Sequence, residues 1–470
     1  MSKLPLVEGV LKYVKEKNIC FSMPGHKQGR GFETIKEGRE ILDKFINCDI
    51  TEVEGVDNLH NAEGIIKQAT EKLSLYYGSK KSYFLVNGST SGNLIMIFSS
   101  FKEGDKVIVD RNCHKSIFNG IIMRKLNPIY VSNKVDKTFN VPLSIDSNDL
   151  IEVISKNKDA KGIILTYPNY YGVCCSLENI ISEAKKYKMK VIVDSAHGAH
   201  FGVNDLLPKS AVKLGADMVV VSAHKTLPSL TQTAFLHVNN ESLINNTDFY
   251  FSSFSSTSPS YLFMITMDYA RYFLEQYGNE YYSSLIDICK KYKKKINDLN
   301  YIHILEKDDI QCEIDESRYI INLKKGYNSS LLLTYLRDNN IQCEMSDTYN
   351  LVLIFSPFNS EDEFKYLYEV LKKCNISKIK GKYINILEHP LPKRALVPYE
   401  VLEMNKVKVN IEDALGRICG ENIVPYPPGV PIIMMGEVID DETLNMIKYY
   451  LKNNIDVIGV SEDKITVIEK

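Results

Sequence analysis

A lysine flanked by hydroxyls and an imidazole, Ser222-Ala223-His224-Lys225-Thr226, follows the apolar run DMVVV at 217–221. That run reads as a short buried strand, so Lys225 falls just past a strand's carboxyl end, where open α/β sheets bind ligands. To form a Schiff base with an aldehyde cofactor, its amine must meet the carbonyl and shed a proton, which partial burial or a neighbouring cation favours. Ser222, His224 and Thr226 add donors for a phosphate. By itself so short a motif is better read as a lysine in a solvated loop, and the remaining chemistry has to decide.

Asp194 ends the strand-like run of VIVDSAHGAH (191–200), which also carries His197. A carboxylate there can pair with a protonated ring nitrogen and keep a pyridine cofactor cationic, or it can simply cap the next turn. NGSTSGN (87–93) stands between the strand-like YFLV and the helical LIMIFSSF. Its small residues leave backbone N–H groups open to an anion, and Ser89, Thr90 and Ser91 supply hydroxyls; a plain N-cap is the alternative. It lacks the G-K-[ST] ending of a nucleotide P-loop. DRNCHKS (110–116) sets His114 at another strand end, where an imidazole can stack on a planar ring or remain a polar surface residue. TYPNYYG (166–172) and SSTSPSY (255–261) are equally compatible with a turn and a helix start.

The elements that must position these groups alternate β-rich and helical runs from about Lys80 to Val238, the pattern of a large, mostly parallel sheet covered by helices. Pro259 to about Leu299 reads as long helical material. A second alternation follows, with RYIINL, IQCEM and LVLIF as strands and helices near Ser330–Asn339 and Ser360–Lys373. Beyond about Asn385 the composition turns to proline and glycine (VPYPPGVPIIMMGEVI) before a final helix and short strands. The expected division is an N-terminal arm (1–65), a large domain (66–298), a small α/β domain (299–384) and a C-terminal domain (385–470).

Composition narrows the class. At 470 residues the chain exceeds one ordinary domain, and 44% hydrophobic with 25% charged residues is typical of a globular protein. A formal net charge of -2 argues against a nucleic-acid partner. No apolar run reaches membrane-spanning length, and the charged N-terminus lacks a signal peptide's core, so a cytoplasmic location without a membrane partner is expected. The ten cysteines show no C-x-x-C spacing, which suits reduced thiols better than a zinc site or disulfides.

In the order NGSTSGN, NCHKS, TYPNYYG, VDSAHGAH, SAHKT and STSPSYL, the chain resembles the Orn/Lys/Arg decarboxylase family, pyridoxal-phosphate enzymes of the aspartate-aminotransferase-like fold type I. MPGHKQGRG (23–31), DITEVEGVDNLHNAEG (49–64) and PYPPGVPIIMMGEVI (425–439) extend the likeness over nearly the whole chain. The resemblance implies a seven-stranded, mostly parallel sheet, smaller C-terminal α/β domains, and pyridoxal 5'-phosphate as cofactor. It implies that Lys225 forms the Schiff base, Asp194 pairs with the pyridine nitrogen and His114 stacks over the ring. Ser89, Thr90, Ser91, Ser222 and His224 would hold the phosphate, with His197 near the ring or substrate. It further implies a homodimer or dimer of dimers in which Ser256 and Thr257 reach the neighbour's cofactor. The larger members' N-terminal wing is expected to be missing, which sets their high-order assembly aside.

The implied reaction is decarboxylation of a basic L-amino acid, arginine or lysine with ornithine as a third candidate, with Lys225 or His224 returning the proton. Glu437 is the expected anchor for the substrate's distal charge, with the acidic run Asp49, Glu52, Glu54 and Asp57 as further candidates. An aminotransferase or another lyase would use the same lysine and aspartate, and a regulatory cofactor-binding module is the non-enzymatic alternative.

Overall fold

The computed structural model describes residues 3–382, 384–388, 391–426 and 429–469; two prolines of the PYPPGVP segment, Pro427 and Pro428, lie outside the described residues. Seven strands form the central sheet: β1 (Lys81–Leu85), β2 (Lys106–Asp110), β3 (Asn127–Val131), β4 (Gly162–Thr166), β5 (Lys190–Asp194), β6 (Met218–Val221) and β7 (Ala234–Val238). Their spatial order is β1-β7-β6-β5-β4-β2-β3. Runs such as KVIVD and MVVV are apolar at successive positions because helices cover both faces of the sheet, so neither face alternates toward water. Val107, Ile108 and Val109 in β2 and Val219, Val220 and Val221 in β6 are correspondingly buried.

β2 to β6 run parallel, as expected from the alternating pattern. β7 departs from that pattern: it pairs antiparallel with β6 and with β1, in a register that sets Lys81 opposite Val238. The reason is the connection. Residues 222–233, which join β6 to β7, carry only the four-residue helical turn Ala223–Thr226 and no helix long enough to cross the sheet, so the chain turns straight back. Lys225 occupies that return.

Four helices matter for the site: α1 (Ile65–Tyr77), α2 (Gly88–Ser100), α3 (Lys115–Met123) and the single turn α4 (Ala223–Thr226). α1 is capped by Asp57, whose carboxylate accepts the backbone N–H groups of Glu63, Gly64, Ile66 and Lys67. The long helical stretch is continuous as Tyr261–Phe273, a π turn at Leu274–Gly278 and Asn279–Asn297. Beyond it, Ile302–Ile304, Arg318–Leu323, Met345–Ser346 and Asn350–Ile354 build a four-stranded antiparallel sheet. The start of the chain joins this second layer, since Ile19–Phe21 pairs parallel with Ile341–Cys343. A separate core that includes Ile411, Ile433, Ile447 and Val467 holds the C-terminal region. Among the described residues no helix is long and apolar enough to cross a membrane.

Candidate active site

The carboxyl ends of β2, β4, β5 and β6 point their loops to one edge, and β2 and β4 flank the position where strand order reverses. Lys225 Nζ lies 2.9 Å from His197 Nε2. Burial lowers the Lys225 pKa, against the opposing pull of Asp194 and Glu344, so more of the amine is neutral than in an exposed lysine. Burial, reinforced by Lys225 and Arg318, pushes His197 well below its ordinary range. The imidazole is therefore neutral, and Nζ donates to its Nε2.

Asp194 is held from two sides. One oxygen accepts the Ala196 N–H at 3.0 Å and the other accepts Asn93 Nδ2 at 2.7 Å. Asn93 also donates to Ser116 Oγ at 2.9 Å, and Ser116 Oγ lies 2.8 Å from His114 Nδ1, which caps α3 by accepting the Ser116 N–H. A polar chain thus links the strand-end carboxylate to the imidazole one loop away. Burial lowers the His114 pKa, with Asp194 opposing and Lys225 assisting, which sets all three charges in one neighbourhood.

At the opposite end of the site α2 begins with Gly88 at φ 74°, a left-handed backbone that suits glycine. Its N-cap residue Asn87 makes no side-chain cap; its Oδ1 accepts the Ser256 N–H at 2.9 Å instead. The first-turn N–H groups are left for another acceptor. Ser222 Oγ donates to Ser89 Oγ at 2.8 Å, drawing the lysine turn onto this helix start, while Ser91 Oγ turns back to Gly88 O. Thr90 is exposed. His224 Nδ1 lies 2.9 Å from Thr233 O; because a carbonyl only accepts, Nδ1 carries the proton, and burial lowers the pKa of the ring and favours its neutral form.

Glu437 is not available for a substrate. Its oxygens accept Arg111 Nη1 at 2.5 Å and Arg111 Nη2 at 2.8 Å, and Oε2 also accepts the Met434 N–H. Both side chains are almost fully buried, at 2% and 3% exposure. Of the acidic run, Asp57 is spent on the α1 cap, and Asp49 and Glu54 are exposed. A second carboxylate whose charge acts on Lys225, after Asp194, is Glu344, which accepts from the Tyr170 hydroxyl and from the Met23 N–H at 3.0 Å. Tyr170 stacks edge-on against His197, ring centres 4.8 Å apart. Ser256 and Thr257 are exposed beside Asn87, with the Ser256 carbonyl bonded to His60 Nε2.

Asn93, Ser116, Tyr170 and Glu344 were missed as site residues, although Asn93 and Ser116 close two of the motifs. For Asn93 the available signal was an amide placed where the run of Gly, Ser and Thr gives way to the apolar LIMIF. Wide surface grooves of about 850 and 500 Å³ lie away from Lys225, so chemistry and not volume picks out this site.

The Orn/Lys/Arg decarboxylase major-domain family model matches residues 4–318, and the C-terminal-domain model matches residues 382–456. The chain belongs to the Orn/Lys/Arg decarboxylase family. Among curated relatives of this decarboxylase-family chain, the uncharacterized protein YaaO of Bacillus subtilis (strain 168) is 34% identical over 468 residues, covering 97% of this chain and 96% of that protein. An arginine decarboxylase of Bacillus anthracis is 30% identical over 468 residues, covering 97% and 94%. The structure of the Francisella novicida lysine decarboxylase LdcF superposes with a TM-score of 0.79 at 20% identity, over 95% of this chain and 78% of that one. As a member of the Orn/Lys/Arg decarboxylases the protein is a lyase, and pyridoxal 5'-phosphate is its cofactor.

The residues present fit that group. The uncapped start of α2 and the Ser89 hydroxyl suit a phosphate. Among the described residues the buried His197 Nδ1 has no hydrogen-bond partner, and a bound group with an acceptor there would satisfy it.

Proposed function

We propose that the protein decarboxylates a basic L-amino acid, arginine in the first place and lysine in the second, with Lys225 as the cofactor lysine. The observation that carries this reading is the desolvated Lys225 amine seated on His197, within the electrostatic reach of two carboxylates, Asp194 and Glu344. Arginine leads because relatives at 29–30% identity over nearly the full chain carry that name, whereas the named lysine decarboxylases stand at 22–23%. Ornithine remains a substrate to assay.

When bound, the cofactor supplies the electron sink that stabilises the charge left at Cα as CO2 departs. Asp194, fixed by Asn93 and the Ala196 N–H, would hold a proton at the ring nitrogen. His114, clamped by Ser116, would cover one face of the ring, and Ser89, Thr90, Ser91 and Ser222 would take the phosphate with the N–H groups of α2. Lys225 is the better proton donor to Cα: in its neutral form His224 has its one ring proton committed to Thr233 O. Glu344 would receive the distal cation of the substrate, since each of its oxygens has only one partner above. Ser256 and Thr257, exposed at the rim, would reach the cofactor of a second copy in a homodimer. A cytoplasmic setting accords with the ten free cysteines.

The test is to supply arginine, lysine and ornithine separately to the cofactor-loaded enzyme and to assay CO2 with agmatine, cadaverine or putrescine. Agmatine with CO2 is the expected result; keto acid without CO2 would replace the reading by transamination. Lys225→Ala should lose the visible absorption band of the lysine-bound cofactor, and a band that survives would remove Lys225 from its role.

A further inference from the structure

The MPGHK segment lies far from the lysine in sequence and against it in space. The Gly25 N–H donates to His224 O at 2.7 Å. A Cβ on Gly25 would lie 2.5 Å from Thr226 C and 2.6 Å from Leu227 N, so only glycine lets this backbone approach the turn that carries Lys225. These neighbours are main-chain atoms and cannot swing aside as the end of a side chain could. The other side of the segment is fixed to the second sheet. Ser356, fully buried, donates its hydroxyl to Gly25 O at 2.7 Å, and buried Lys27 donates to Ile354 O at 2.9 Å and to Ser22 O at 2.5 Å. Six residues on, a Cβ at Gly31 would meet Pro228 Cβ at 2.8 Å, so the contact continues along the lysine loop.

We propose that Gly25 is a positioning residue: the 22–31 segment is a strut that transmits the placement of the Ile354–Phe358 stretch to the main chain of residues 224–228 and so sets the orientation of the Lys225 amine. No other contact described above ties the second sheet to the backbone of the lysine turn. This role rests on Lys225 as the cofactor lysine only for its effect on turnover; the effect on the amine itself does not depend on that assignment.

The experiment uses the full chain with Gly25→Ala, which pushes the turn away, and Ser356→Ala, which frees the strut without adding atoms. Gly9→Ala, in an exposed helix with open space around it, is the control for adding a methyl group. In the apoenzyme the rate of Lys225 acylation by a small amine-reactive ester is followed against pH and located by mass spectrometry. In the loaded enzyme the pH midpoint of the visible cofactor band and kcat are measured. Gly25→Ala should shift both pH profiles and lower kcat by about 10²-fold, the scale expected of a displacement near 1 Å, with a smaller shift in the same direction for Ser356→Ala. A lowered melting temperature with unchanged Lys225 profiles would overturn the proposal and leave the strut a stabilising contact. If Gly25→Ala is insoluble, Ser356→Ala decides: a shifted profile supports the strut, an unchanged one refutes it. Should the acylation profile shift while the cofactor band resides on another lysine, the strut stands and the assignment of Lys225 falls.

Discussion

Two clusters of charged and titratable groups lie at the ends of strands in this fold, and they differ in what they leave undone. Arg111 and Glu437 complete each other: two parallel hydrogen bonds, a main-chain N–H on the carboxylate, and the Pro431 and Ile432 carbonyls on the guanidinium. In the other cluster His197 and Asp194 are buried, Lys225 is half-buried and His114 is exposed, and the set is incomplete. Among the described residues His197 Nδ1 lacks a partner, the start of α2 is uncapped, and burial depresses the lysine and imidazole pKa values. Burial of charge alone does not mark a catalytic centre. The saturated pair fastens the C-terminal region to the end of β2, whereas the unsaturated cluster retains capacity for a ligand.

The contrast can be broken most strongly at Asp194. Replacing it with alanine should cost turnover about 10²–10³-fold or more while the fold persists, the scale of losing one preorganised electrostatic partner. Near-normal kcat with unchanged circular dichroism would strip the carboxylate of its role.

Glu437→Gln should behave in the opposite way, because it strands a buried guanidinium. It should destabilise the protein by about 3 kcal/mol or more in urea titrations, leaving KM for the amino acid unchanged in the molecules that remain folded. A raised KM with intact stability would return Glu437 to the substrate. Replacing both Arg111 and Glu437 with methionine should recover most of the loss, since neither charge is then left alone.

A smaller effect distinguishes the clusters by pH. His197 is held far below the ordinary value of 6.5, so the folded chain binds no proton there where the unfolded chain does. Stability is therefore present above that value and lost as pH falls through it, at about 1.4 kcal/mol per pH unit for this one group. His197→Asn should flatten the acid limb of apoenzyme stability by about 2 kcal/mol in all between pH 7 and pH 5, most of it below pH 6.5, read from urea midpoints. An unaltered slope would mean that the imidazole is already charged in the folded state.

The strand ends were legible because KVIVD, VIVD and MVVV can only be buried on both faces, and a residue that follows such a run must emerge at the sheet's edge. Lys225, Asp194 and His114 were found this way. Asn93 escaped because its partners, Ser116 and Asp194, come from other loops. Glu437 was misread for a related reason. An acid in a proline-rich stretch looks exposed until the guanidinium 326 positions away is seen to fill the space. The antiparallel β7 was also missed, since an apolar run carries no direction and only the lack of a crossover helix in its connection reveals it. Asp57 could have been read as a cap from its place before α1.

The pairing of β1 has a consequence for synthesis. Its sheet neighbour, β7, ends at Val238, opposite Lys81. At roughly 5–20 residues per second, the ribosome takes about 8–30 s to make the intervening chain. For that interval Lys81–Leu85 waits as an open edge while the five strands between complete their parallel ladder, and the strand that closes over it is the one delivered by the lysine loop.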